Sequence, residues 1–170
     1  MKKTNTKKLM YITMLSAMAI ALNLLEYAFI PPLPLGVRFG LANIVALIAL
    51  KLLGTKEMVI VNVMRVVLGN LLRGLLFGMS FWLALSGVVL SSIVLLVCHK
   101  LKTSIVFMAI LSSVAHIVGQ YIVIVFVYNQ PAVWLWAPIS LAGSFGAGIL
   151  TGIIAQETLK RVNKDTLKIK

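Results

Sequence analysis

The stretch Met58–Met79, MVIVNVMRVVLGNLLRGLLFGM, is apolar over a length sufficient to cross a bilayer, yet it carries Asn62, Arg65, Asn70 and Arg73. At 100° per residue Asn62, Arg65, Gly69 and Arg73 fall within an arc of about 80°, with Asn70 about 60° further round, so a helix gathers these groups into one stripe. An arginine at the centre of a bilayer costs roughly 2.5–3.5 kcal/mol on insertion scales, and this segment has two. Two arrangements meet that cost. One is a polar interior shared with other helices or a ligand; the other is a pair of side chains that snorkel to the two membrane faces. Arg73, near an end, can snorkel, whereas Arg65 lies about two turns inside and does so less easily. The stripe is therefore read as the wall of a site.

Runs of this kind recur along the whole chain. The 170 residues are 61% hydrophobic and 12% charged, above the apolar share of a soluble domain. The apolar runs predict an all-α, polytopic six-transmembrane-helix bundle forming one integral membrane domain over 1–170, with helices at about 9–29, 37–53, 58–78, 81–98, 104–128 and 134–155. The net charge of +12 invites a nucleic-acid reading until its distribution is inspected. Thirteen of the 16 basic residues precede the first helix, follow the last, or flank the second and fourth links: Lys2, Lys3, Lys7, Lys8, Lys51, Lys56, Lys100, Lys102, Lys160, Arg161, Lys164, Lys168 and Lys170. The links near Pro31–Gly36, Met79–Phe81 and Asn129–Ala132 have none. With six crossings, all thirteen fall on one side, which the positive-inside rule makes cytoplasmic together with both termini. The charge is thus topological and touches lipid headgroups, not nucleic acid. The start MKKTNTKK and Ala17-Met18-Ala19 imitate a cleavable signal, but the apolar pattern continues to Leu25, which favours an uncleaved first helix in the plasma membrane.

Three arginines, Arg38, Arg65 and Arg73, remain outside this pattern. Arg38 opens the second helix after the stiff segment Ile30-Pro31-Pro32-Leu33-Pro34-Leu35-Gly36, and Asn43 follows about one and a half turns deeper. A helix N-terminus beside Arg38 suits an anion, although an interfacial arginine can equally be an anchor. On the first helix Thr13, Ala17, Ala21 and Ala28 form a small-residue strip, suited to ordinary packing or to a helix of another chain. Asn23 and Glu26 face the other way, and Glu26 is the one acid outside the cytoplasmic segments. In the fifth run Ser112, Ser113, His116 and Gln120 share a face; a lone membrane histidine serves as a hydrogen-bonded interior group more often than as a ligand contact. Gly74 and Gly78 have GxxxG spacing, and Ser140, Ser144, Gly148 and Gly152 form a close-packing face. Trp134 and Trp136 fit an external aromatic belt.

Counted from the membrane faces, Glu26, Arg38, Asn43, Asn70, Arg73 and Gln120 fall in the outer half, His116 near the middle and Arg65 somewhat inside it. The expected pocket takes a small anionic or polar molecule through Arg38, Asn43, Asn70, Arg73, His116 and Gln120, with Glu26 and Arg65 holding its internal charge balance. Four acids, Glu26, Glu57, Glu157 and Asp165, lie far apart in sequence, so no carboxylate cluster for Mg²⁺ is expected, and the single Cys98 excludes an internal disulfide. There is no phosphate loop and no HExxH helix. The reading is of a non-enzyme with no cofactor and no metal.

The segments Pro34-Leu35-Gly36-Val37-Arg38-Phe39-Gly40-Leu41-Ala42-Asn43, Arg65 with Leu68-Gly69, Gly74, and Leu85-Ser86-Gly87 with Ser91 resemble the bacterial Gx transporter family, also catalogued as heptaprenyl diphosphate synthase component I. That family is similar in architecture to the substrate-binding S components of energy-coupling factor (ECF) transporters. The resemblance implies a small molecule held near the outer face. It also implies a transmembrane coupling subunit, with ATPases supplied by other chains, contacted through an AxxxA strip that Ala17 and Ala21 match. The synthase name implies instead a non-catalytic membrane accessory of isoprenoid or quinone synthesis, since no aspartate-rich motif is present.

Overall fold

The shortest helix is the most enclosed. In the computed structural model, which describes residues 3–29 and 41–162 with side chains from residue 6, α2 (Asn43–Leu52) buries seven of its ten residues. It packs against α1 (Lys3–Phe29), α3 (Thr55–Leu72), α5 (Ile105–Phe126) and α6 (Ala137–Arg161). The helices α1, α3, α4 (Met79–Lys100), α5 and α6 contact one another in that order, and α2 completes the bundle between α6 and α1. A helix that is apolar all round belongs in an interior, which is why Val45, Ala46, Leu47, Ala49 and Leu50 are all within 2% of full burial. The described residues are helices and turns, with no strand.

Four helices are long and apolar enough to cross a membrane: Thr6–Phe29, Met79–Lys100, Ile105–Phe126 and Pro131–Arg161. The six predicted helices are present, but two of the predicted spans differ. The second begins at Asn43, not at 37, because Leu41 and Ala42 form a turn, and ten residues extend only about 15 Å. The predicted segment 37–40, Arg38 included, lies outside the described residues, as do the proline link and the tail from 163.

The third predicted span, 58–78, runs instead from Thr55 to Leu72. Gly74 ends it: φ is +66°, its N–H donates to Leu71 O at 3.0 Å, and Leu75 N–H reaches back to Asn70 O at 2.9 Å. These two bonds satisfy carbonyls that the last turn leaves orphaned, and the left-handed φ costs glycine little. Gly74 and Gly78 are therefore turn residues and not a helix-packing pair. The link to α4 is 73–78; Met79–Phe81, expected as a link, is the first turn of α4.

The remaining boundaries shift by a few residues, and α6 is preceded by a 3₁₀ turn, Pro131–Trp136, on which Trp134 and Trp136 are exposed. Buried Ser140, Ser144, Gly148 and Gly152 form the predicted close-packing face, and a Cβ on Gly148 would lie 2.6 Å from Ile110 Cα of α5. Lys8 pairs with Glu57, tying the start of α1 to the start of α3. One apolar core joins Leu15 of α1, Leu50 of α2, Met58 of α3, Cys98 of α4, Met108 of α5 and Ala155 of α6, so the ends carrying most of the lysines lie together. A smaller core at the opposite end holds Leu83, Ile117, Tyr121, Ile124 and Val133.

Candidate functional site

Between these two cores the bundle turns polar. The buried face of α3 comprises Glu57, Met58, Val61, Asn62, Arg65, Val66, Gly69 and Asn70; of the predicted stripe it holds Asn62, Arg65, Gly69 and Asn70, while Arg73 lies just past the helix end. Asn62 leaves the group by donating to Ser92 Oγ of α4 at 2.8 Å. Of the rest, Arg65, Val66 and Asn70 meet residues of α1, α4 and α5 around a cavity of about 30 Å³, lined by Asn23 and Glu26, by Arg65, Asn70 and Arg73, by Ser80, and by His116 and Gln120. Ala42, Val66, Leu83, Ala84 and Val88 supply its apolar wall. That volume holds one or two waters.

Arg65 is 3% exposed and donates through Nη2 to Asn43 Oδ1 at 3.0 Å. Asn43 thus supports the arginine from α2. Glu26, also 3% exposed, accepts from Leu41 N–H at 3.2 Å and is the carboxylate whose charge acts on Arg65. A buried guanidinium left without such partners carries a desolvation penalty of several kcal/mol, so this arrangement positions Arg65 and also makes it tolerable.

Arg73 stands differently. As the C-cap residue of α3 it lies where the helix dipole favours a cation, and the turn at Gly74 swings it across the cavity. Its guanidinium carbon sits 3.8 Å over the Tyr27 ring of α1, and Nη2 donates to Ser80 Oγ of α4 at 3.1 Å. Arg73 is thus held between α1 and α4. Every residue from Leu71 to Ser80 is exposed or half-buried, so this side of the cavity is the least constrained.

The opposite wall is rigid. His116 is 5% exposed, and its ring fills the space where a Cβ on Gly87 would lie 2.7 Å from Cε1. Gly119 answers from α5: a Cβ there would lie 2.6 Å from Ser86 O. Two glycines facing each other let the α4 and α5 backbones approach closely enough to fix the imidazole against the cavity. Four buried atoms at or beside the cavity have no hydrogen-bond partner: Asn43 Nδ2, Asn70 Oδ1, Arg73 Nε and His116 Nδ1. Buried polar atoms are normally paired; four more unpartnered ones, on Ser16, Asn62, His99 and Ser113, lie away from the cavity, so the four here matter because a ligand or water in the cavity can reach them.

Of the residues singled out from sequence, Glu26, Arg65, Asn70, Arg73, His116 and Gln120 converge on this cavity, and Asn43 stands behind Arg65. Arg38 lies outside the described residues. Ala17 and Ala21 are remote and exposed, as are Thr13 and Ala28, so nothing among the described residues covers the strip. Tyr27 and Ser80 were not singled out, nor was Asn23 placed in the pocket. Tyr27 adjoins Glu26, and Ser80 is the polar residue beyond the glycine turn. That turn is the signal that would have found Ser80. Among the described residues no group of three or more His, Cys, Asp or Glu side chains is placed to hold a metal ion.

Fold and cavity together define a helical membrane protein with an enclosed polar site in which two arginines face one glutamate. The chain belongs to the heptaprenyl diphosphate synthase component I family, whose model matches residues 15–158. No curated protein and no solved structure matches it.

Proposed function

We propose that the protein is the membrane-embedded substrate-binding subunit of a bacterial transporter, taking a small anionic or strongly polar molecule from the external face of the plasma membrane. The cavity carries this reading. It offers two guanidinium groups against one carboxylate, it has unpartnered polar atoms, and it lies toward the end of the bundle away from the basic helix ends. By the positive-inside rule those basic ends and both termini are cytoplasmic, in a six-crossing chain whose pocket faces out. Room for one or two waters is too little for a substrate, so the Arg73–Gly78 turn moves to admit it, exchanging the contacts of Arg73 with Tyr27 and Ser80 for contacts with the anion. Arg38 is a second direct contact in this scheme, while Glu26 and Arg65 hold the internal charge. The exposed strip at Ala17 and Ala21 supports contact with a coupling subunit of the ECF type, and the chain's lack of an ATP-binding motif assigns the energising ATPases to other chains.

The family name favours a second reading, a non-catalytic membrane accessory of heptaprenyl diphosphate synthesis. With four acids spread along the chain, the Mg²⁺-dependent chemistry would belong to a soluble partner. One experiment separates the two: purify the protein from native membranes, then identify by mass spectrometry both the small molecule and the proteins that accompany it. A polar solute with ATPase subunits supports the transporter; a prenyl synthase without a solute overturns it. The site itself is tested by solute binding to Arg73→Gln and Arg38→Gln variants that stay monodisperse. Undiminished affinity in both would remove the anion site.

A further inference from the structure

Asn70 constrains the ligand more sharply than charge does. It is 2% exposed, and its Nδ2 donates to Val66 O one turn back at 2.8 Å. That bond decides which way the amide points, because the reversed amide would set two oxygens against each other with no proton between them. Oδ1 is consequently the atom left over. It is buried on the cavity wall and has no partner. Arg73 Nε, a donor, is also unpartnered, and Arg73 and Arg65 line the same cavity.

A simple anion would satisfy the arginines and leave Asn70 worse off, since its oxygens would face another acceptor in a site shielded from water. Resting on the reading of this cavity as an anion-binding pocket, we propose that the ligand carries a hydrogen-bond donor, a hydroxyl or an amine, besides its anionic group, and that Asn70 Oδ1 reads that donor. The ligand class is then a small hydroxy or amino acid and not a plain carboxylate. Asn70 is a specificity-determining residue. The arginines set affinity for the charge, and a ligand lacking the donor is penalised because a buried acceptor stays unpaired.

The test uses acetate, glycolate and glycine as probes on the full-length protein in nanodiscs, with affinity read from ligand-dependent thermal stabilisation. Glycolate or glycine should bind on the order of tenfold or more tightly than acetate. Asn70→Leu should erase that preference from both sides, weakening the donor-bearing probes and relieving the penalty on acetate. Asn70→Ser, which keeps a small acceptor, guards against a folding defect and should retain part of the preference. Equal binding of acetate and glycolate to the wild type would overturn the proposal alone, meaning that trapped water satisfies Asn70. If no probe binds up to about 100 mM, below which even weak anion sites with Kd in the millimolar range respond, the anion-pocket reading falls as well.

Discussion

Adding one methyl group at Gly119 should cost more than its size suggests. The new Cβ would lie 2.6 Å from Ser86 O, 2.9 Å from Ser86 C and 3.0 Å from Gly87 Cα, all backbone atoms of α4. The closest approach is roughly 0.8 Å short of ordinary contact, and a helix backbone cannot rotate away as a side chain can. α4 and α5 must therefore separate, and overpacking of this kind costs about 1–3 kcal/mol. Gly146→Ala is the matched control: on α6, with nothing within 4 Å of its Cβ, it should be neutral or stabilise by up to about 1 kcal/mol. Cys98, the single cysteine and 4% exposed, reports the opening, because a thiol-reactive dye reaches it when the bundle loosens. With each 1.4 kcal/mol changing the open population about tenfold, Gly119→Ala should label roughly five- to a hundredfold faster than wild type. Gly87→Ala meets a side chain, the His116 ring at 2.7–2.9 Å, so it should label only slightly faster while pushing the imidazole into the cavity and weakening binding. Equal labelling of the Gly119 and Gly146 variants would refute the claim that α4 and α5 meet backbone to backbone.

Asn43→Leu removes the hydrogen bond at Arg65 Nη2 and should cost about 1.5–3 kcal/mol, measured by the same labelling; a neutral result would mean that Arg65 finds its stabilisation elsewhere. Burial raises the Glu57 carboxyl, but the Lys8 ammonium and the nearby backbone outweigh it and bring the group below its ordinary value of 4.5. A lowered carboxylate stabilises fully above its unfolded value and loses that contribution as pH falls through the folded one. Stability should therefore drop below about pH 4.5 in the wild type and drop less in Lys8→Met, as followed by melting temperature against pH. In a Cys98→Ser background, an impermeant thiol reagent applied to intact cells should label Asn129→Cys and spare Thr55→Cys; the reverse pattern would place the cavity on the other face.

The polar stripe of α3 was readable from sequence because helical periodicity alone places Asn62, Arg65, Gly69 and Asn70 on one side, and burial follows polarity where the surroundings are lipid. Periodicity also carried Arg73 to the same cavity, but it did not show that α3 stops at Leu72. Leu-Leu-Arg-Gly reads equally as a continuing helix or as a helix end, and Gly78 four residues on imitates a packing motif. Only the backbone bonds from Gly74 and Leu75 separate the two. Tyr27 and Ser80 escaped because their relation to Arg73 depends on how α1 and α4 pack, which no local pattern encodes. The length of α2 escaped for a different reason: its residues are apolar enough to span, and a helix buried in protein and one buried in lipid have the same composition.

The order of the charged partners along the chain bears on how the protein is made. Glu26 and Asn43 both precede Arg65, on α1 and α2. During synthesis the first helix, apolar enough to enter the bilayer alone, carries the carboxylate in ahead of the arginine. α3, only 18 residues long and bearing Lys56, Glu57 and Arg65, is a poor candidate for independent insertion. A third helix of this composition is expected to enter with helices already laid down, where its guanidinium meets partners that precede it in the chain. Loss of Glu26 would accordingly appear first at the ribosome, as nascent chains whose third helix slips back out of the translocon, before any mature protein exists whose binding could be measured.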